Sequence, residues 1–327
     1  MANLETTYMG ITLKNPIIIS SSGLTSTAAG IKKIEEQGAA AVVLKSLFEE
    51  QINYDAGEVL KKDLSGSPEA DDYVRGYIKS NSLDSYLQLI SDTKKSVKIP
   101  VFASINCVSA ADWTDFAKKI EKAGADGIEL NINFVPNNPD LPAAEIEKQY
   151  LEVFEKVKAA VKIPVAVKIS AGFTNVLYII NQLKNRGAAG VVLFNRLYEP
   201  DIDLNTMSIT ATNVFSSSGD LRQSLRWIGI ASSKIDKIEL SASTGIHDGE
   251  SAFKMILAGA KTVQICSVLY KSGLKEISNI LTELEKWMEK YNYKKLDEFR
   301  GKMNYKSISN PLAYERSQFM KYFSSRS

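Results

Sequence analysis

The feature that most restricts how this chain can fold is a unit that recurs along it. An amphipathic helical stretch leads into a Gly-Ala pair and then into a short run rich in Val, Ile and Leu. It reads IEEQGAAAVVLKS at Ile34–Ser46, IEKAGADGIELNIN at Ile120–Asn133, LKNRGAAGVVLFN at Leu183–Asn195 and ILAGAKTVQICS at Ile256–Ser267. Gly ends each helix in a left-handed cap, and the small Ala lets the chain turn tightly into a strand. A second phrase, VKIPVFASIN at Val97–Asn106 and VKIPVAVKIS at Val161–Ser170, places Pro at a strand entry, where its missing N–H is tolerated.

Apolar runs predict eight strands: Ile17–Ser20, Ala41–Lys45, Val101–Ile105, Gly127–Asn131, Val165–Ile169, Gly190–Phe194, Ile238–Ala242 and Thr262–Ile265. The runs are continuous, as parallel strands covered by helices require. Eight such units in 327 residues favour a closed α/β barrel, a TIM (β/α)8 fold forming a single domain over residues 1–327. No G-x-G-x-x-G opens a helix after a strand, which argues against an open dinucleotide-binding sheet. Long connections follow strands two (Leu47–Lys98), four (Ile132–Glu145) and six (Arg196–Leu225), all on the face where barrel active sites are built. They read as lids or substrate loops. The stretch Ile277 to Gly301 reads as a closing helix plus a short second one, and the polar, aromatic last two dozen residues as a segment ordered against a neighbour.

Composition removes several function classes. Net charge is +2 with no basic run, so no nucleic-acid partner is expected. The apolar runs are too short to span a bilayer, and the N-terminal residues lack a secretory pattern. Two cysteines without a spaced motif fit a reduced, cytoplasmic protein. With His247 the only histidine, a two-His metal site is excluded, and any Ser-His or Cys-His pair must use that residue. No metal site is expected.

The predicted strand C-termini carry Ser20-Ser21-Ser22-Gly23, Lys45-Ser46, Asn106, Asn131 with Asn133, Lys168, Asn195, Ser243-Thr244-Gly245 and Cys266-Ser267. Amide side chains match the edge of a planar heterocycle, and a lysine stabilises charge on a reduced flavin. The ends of strands seven and eight lie where barrels commonly hold a phosphate. A phosphate plus a reducible ring suggests FMN. Glu129 shares parity with Asn131, which leaves its direction open.

NPIIISSSG, VVLKSLFE, ASIN, IELNIN, VAVKIS, VLFNR, STGIHDGESAFKMILAGAKTVQICSVLY and YKKLDEFRGKM, in order from about Asn15 to Met303, resemble the dihydroorotate dehydrogenases, closest to their soluble class. The resemblance implies FMN, a small-molecule substrate and a homodimer. It implies ring contacts for Ser21, Ser22, Gly23, Lys45, Ser46, Asn106, Asn131, Lys168 and Asn195. Ser218-Gly219 would lie over the cofactor, and Thr244, Gly245, Cys266 and Ser267 would form the phosphate turns. Catalysis would rest on Lys45 and Asn131. The family places a Cys or Ser base after strand four, where this chain has Phe134, so the base is unknown. An Asn motif after strand two is also missing, because that region reads YVRGYIKSN from Tyr73.

Arg75 and Lys79 are alternative carboxylate partners from that loop, although a solvated charge is the plainer reading of each. Cys107, Tyr73, Tyr77, Tyr198 and His247 are alternative bases, each with a plainer role as a core, lid or helix-starting residue. Three functions follow: a dehydrogenase passing hydride from dihydroorotate or a related dihydropyrimidine to flavin, an FMN-binding relative with another substrate or no activity, and a lyase using Lys168 as a Schiff base. No Cys cluster exists for an iron–sulfur centre, so an NAD-linked partner subunit would have to bring one.

Overall fold

A computed structural model describes residues 2–48, 68–107, 113–196, 199–211 and 214–315, with the side chains of 68–81 and of Cys107 left aside. The recurring Gly-Ala unit does what its chemistry dictates. Gly38, Gly124, Gly187 and Gly259 take φ values of +102, +97, +86 and +117°, a region that a Cβ disfavours. The VKIP phrase has a partner as well. Glu35 Oε1 accepts the backbone N–H of Lys98 and Ile99, and Glu121 Oε1 accepts those of Lys162 and Ile163. Each carboxylate thus ties the end of a helix to the entry of the barrel strand beyond the one that helix leads into.

A hairpin of β1 (Thr6–Tyr8) and β2 (Ile11–Leu13) comes first. The strands β3 (Ile17–Ile19), β4 (Ala41–Val43), β5 (Leu47–Phe48), β6 (Val101–Cys107), β7 (Gly127–Ile132), β8 (Val165–Ile169) and β9 (Gly190–Leu193) follow. After a second hairpin, β10 (Pro200–Asp203) with β11 (Ser208–Ala211), come β12 (Glu239–Ser243) and β13 (Thr262–Ile265). The parallel order β4-β3-β13-β12-β9-β8-β7-β6 closes through a β4–β6 pairing, which makes the (β/α)8 barrel. β5 continues the path of β4 after a break at Leu44–Ser46, and both pair with β6.

Alternate residues divide two cores. Ile17, Val42, Ile105, Leu130 and Val167 face the helices, and Ile18, Val43, Phe102, Ala166 and Val192 fill the lower barrel with Tyr8 and Met9 of the first hairpin. Gly127 and Gly190 make room for that plug: a Cβ there would sit 2.8 Å from Met9 and 2.9 Å from Tyr8. Burying each large apolar side chain in either core contributes roughly 1.5–3 kcal/mol.

Two expectations are corrected. Much of the connection after strand two is a helix, Pro68–Ser96, so it is not one long loop. Leu83, Tyr86 and Ile90 hold it by burying one face, whereas its polar first half hid that period. The β10–β11 hairpin inside the connection after strand six was not foreseen, because its pattern is too short to signal strands. The described part of the tail packs on its own chain: Tyr305 N–H donates to Gly229 O, and the Tyr314 ring lies against Gly229. The helix Glu276–Lys290 and the short turn Leu296–Glu298 match the expected closing elements.

Candidate functional site

Above the apolar plug the barrel interior turns polar. Glu129 of β7, Lys168 of β8, Gln264 of β13 and Ser20, just past β3, point into one space and are buried. Lys168 Nζ donates to Ser20 Oγ at 2.9 Å and to Gln264 Oε1 at 3.3 Å, and lies 3.7 Å from Glu129 Oε1. Gln264 Nε2 donates to Glu129 Oε2 at 2.6 Å. The open direction of Glu129 is therefore inward, one layer below Asn131. Its charge helps raise the Tyr8 and Tyr86 hydroxyls, behind the larger effect of their own burial.

The rim above carries the amides. Asn106, Asn131 and Lys168 follow one another in register across β6, β7 and β8. Asn195 Nδ2 donates to Asn131 Oδ1 at 2.8 Å, which fixes both amides. A hydroxyl chain runs alongside, from Ser21 to Ser46 at 3.0 Å and from Ser46 to Ser104 at 2.7 Å. Tyr86 anchors it by donating to Ser104 O and accepting Ser104 N–H.

Thr244 and Gly245 follow β12 with φ of +76 and +79°, and Thr244 Oγ1 donates to Phe194 O. A Cβ at Gly245 would run into the backbone of Leu221, so only glycine lets that helix start approach the turn. Ser216 ties the covering segment down. Its N–H donates to Ser267 Oγ, its hydroxyl meets His247 Nε2 at 3.1 Å, and its carbonyl accepts Lys271 Nζ at 2.7 Å. Burial, reinforced by the Lys271 charge, lowers the His247 pKa. Burial raises the Cys266 thiol, partly offset by a hydrogen bond with Ser22 and by the Lys168 charge.

Two cavities open here. A small one of about 160 Å³ is lined by Ser20, Ser21, Lys168, Gln264, Cys266 and Ser267 on one side and by Ser216, Thr244 and Gly245 on the other. A wider one of about 810 Å³ adjoins it through the shared Asn195, Arg196 and Thr244. Its wall is aromatic: Phe134 meets Tyr150 edge-on at 5.0 Å, and Tyr150 meets Phe173 at 4.9 Å. Phe134 N–H donates to the Tyr150 hydroxyl at 3.1 Å. Burial raises the pKa of that hydroxyl, so at neutral pH it is a proton donor and not a base.

Of the residues named from sequence, Ser21, Lys168, Asn195, Thr244, Gly245, Cys266 and Ser267 line the small cavity. Phe134 and Gly219 line the wide one. Ser22, Gly23, Lys45, Ser46, Asn106, Asn131 and Ser218 line neither, and Lys45 and Ser218 are exposed. Tyr198 and the side chains of Tyr73, Arg75, Tyr77, Lys79 and Cys107 lie outside the described residues. Sequence reasoning missed Gln264 and Ser216. Gln264 was findable as a polar residue of the same strand parity as Thr262. Nothing local marks Ser216.

A closed parallel barrel whose strand C-termini gather an ammonium, amides and a glycine turn is the architecture of a barrel enzyme with its site at that end. Comparison with known proteins gives the family. The dihydroorotate dehydrogenase family profile matches residues 3–288, and the chain belongs to that family. Its members are flavoproteins, and this chain is, like them, an oxidoreductase acting on CH–CH groups. The catalytic subunit of dihydroorotate dehydrogenase B (NAD(+)) from Thermoplasma volcanium is 27% identical, over 92% of this chain and 98% of that protein. Dihydroorotate dehydrogenase A (fumarate) from Lactococcus lactis is 26% identical, over 92% and 99%. The chloroplastic dihydropyrimidine dehydrogenase (NADP(+)) of Arabidopsis thaliana is 23% identical, over 91% of this chain and 76% of that protein. The function is of the dihydroorotate or dihydropyrimidine dehydrogenase type. No helix among the described residues is long and apolar enough to cross a membrane.

Proposed function

We propose that this protein is an FMN-dependent dehydrogenase that oxidises a dihydropyrimidine, with dihydroorotate the first substrate to test. The observation that carries the reading is the engagement of Lys168. An ammonium has three donors. Two go to Ser20 and Gln264, and Lys168 also lines the small cavity, where a third can meet a ligand. The donor set around it fits a flavin. The Asn131–Asn195 amide pair suits a ring edge of carbonyl and N–H groups, and Ser267 with the Thr244-Gly245 turn suits a phosphate.

FMN, when bound, supplies the hydride acceptor. Lys168 would stabilise charge at one ring edge, Asn131 and Asn195 would orient ring and substrate, and Lys45 would stand at the rim of strand two. Phe134 and Phe194 give the wide cavity part of its apolar lining. Oxidation of a dihydropyrimidine also removes a proton from the carbon beside the hydride donor. Phe134 cannot accept it, so the substrate within this class is less constrained than the cofactor. An FMN-binding relative with another substrate, or without turnover, is the second reading, and Phe134 is the observation that favours it.

A Schiff base at Lys168 is disfavoured by family membership and by the pairing of its ammonium with Glu129. A homodimer is also proposed, supported by exposed Ile202, Leu204, Met207 and Ile209 on the β10–β11 hairpin. The catalytic-subunit naming of relatives supports a further electron-transfer partner. The test is the visible spectrum of the purified protein and release of FMN on denaturation, followed by orotate formation with fumarate, a quinone or another electron acceptor. Protein without flavin bands that takes up no added FMN would overturn the reading. Flavin-loaded protein that forms no orotate would remove dihydroorotate as substrate and leave the second reading.

A further inference from the structure

One buried carboxylate has no role in the site as described so far. Glu129 is 1% exposed at the centre of the barrel, and its Oε1 has no hydrogen-bond partner among the described residues. A buried carboxylate in an apolar surround is costly unless it is paired and hydrogen-bonded. Glu129 meets that need in an uneven way. Oε2 takes a short bond from the Gln264 amide, whereas Oε1 faces Lys168 Nζ at 3.7 Å, too far for a hydrogen bond. The two charges attract across that gap, and Gln264 bridges them, donating to Glu129 and accepting from Lys168 and Ser20.

Two consequences follow from this arrangement. The Lys168 ammonium is pulled toward the barrel centre by a charge below it, yet it is not locked by a direct bond to that charge. Its positive field at the small cavity is also partly cancelled, because Glu129 is the one carboxylate paired with it among the described residues.

We infer that Glu129 is a positioning residue that holds the Lys168 ammonium low and offsets its charge, limiting how strongly the site stabilises negative charge on a bound flavin. The inference rests on the reading that FMN occupies this site. Removing the carboxylate charge while keeping its shape then leaves Lys168 uncompensated and strengthens the site's hold on an anionic ring.

The experiment uses the FMN-loaded protein and sulfite as probe. Sulfite supplies the electron pair for a bond to the oxidised ring, which takes up negative charge, so its affinity reports the positive field around the flavin. Bleaching of the flavin band gives the dissociation constant. Glu129→Gln should retain FMN and bind sulfite roughly 10-fold tighter, the scale of one unit charge acting over about 12 Å at an effective dielectric constant near 20. The gain should shrink when Lys168→Met is added, because the part that acts through the position of the Lys168 ammonium is then lost. Glu129→Asp keeps the charge but withdraws it from Lys168, and should tighten binding by about 2-fold. It decides the matter if the Gln variant does not fold or loses FMN. Unchanged sulfite affinity in a folded, flavin-loaded variant would overturn the inference and leave Glu129 a packing residue. Failure of the wild-type protein to hold FMN would instead overturn the functional reading on which it rests.

Discussion

The two sides of the strand C-terminal face are built differently. On the side of β3, β8 and β13, small polar groups satisfy one another at hydrogen-bond distance around a cavity of about 160 Å³. On the side of β7, β8 and β9, an aromatic wall of Phe134, Tyr150 and Phe173 lines about 810 Å³. The first side is overdetermined: moving Lys168 disturbs Ser20, Gln264 and Glu129 together. The second rests on edge-to-face ring contacts, each worth only about 0.5–1.5 kcal/mol beyond burial, and tolerates exchange more readily. The motif resemblance divides along the same line, being close on the first side and broken at Phe134 on the second. On the proposed reading, cofactor recognition and substrate choice sit on separable structures.

The strongest way to break this contrast is Lys168→Met. It leaves Glu129 buried without a counter-charge, for which about 3–5 kcal/mol of stability loss is expected. FMN retention should weaken roughly 10- to 100-fold, the worth of a charge-assisted hydrogen bond of about 1.5–3 kcal/mol. Denaturant unfolding and fluorescence titration with FMN read the two effects. A variant with both properties intact would show that the polar side is not the cofactor side.

Phe134→Ser probes the other side. If substrate choice lies there, a hydroxyl at this position should raise orotate formation from dihydroorotate by roughly 100-fold, within the range of general acid–base catalysis. FMN content should not change. No gain in turnover would mean that the aromatic cleft serves a different substrate.

The β10–β11 hairpin grows from the same connection that borders the wide cavity. Ile202 and Ile209 face each other across it, both exposed. Ile209→Asp should halve the mass measured by light scattering while shifting monomer stability by no more than about 0.5 kcal/mol. An unchanged mass would place any subunit interface elsewhere.

The smallest effect concerns His247. Its folded pKa lies below its usual 6.5, so the fold favours the neutral ring. The stability this provides is present above pH 6.5 and is lost as pH falls through the lowered value. His247→Gln should flatten that acid-side slope in unfolding measured at a series of pH values. A steeper slope would mean that the charged form is the favoured one.

Much of the barrel was legible because its signals are local. The four Gly-Ala caps announce left-handed residues, and the Val-Ile-Leu runs announce strands whose observed limits differ from expectation by at most two residues. The helix Pro68–Ser96 was less legible, since Gly76 and many polar residues dilute the apolar spacing of its first half. Lys168 and Asn195 were legible as strand-end polar residues, whereas Gln264, inside its strand, was marked only by sharing the parity of Thr262.

The sequence by itself determined the eight barrel strands, the caps and the parity that Glu129 shares with Asn131 and Gln264 with Thr262. Each depends on a residue and its near neighbours. Only the tertiary structure decided that Gln264 meets Glu129 across 135 positions, that Asn195 meets Asn131 across 64, and that Ser216 closes over Ser267. Closure of the barrel sets those encounters. Strand parity gives a side chain its direction, but only the stagger between strands around the ring gives it a partner.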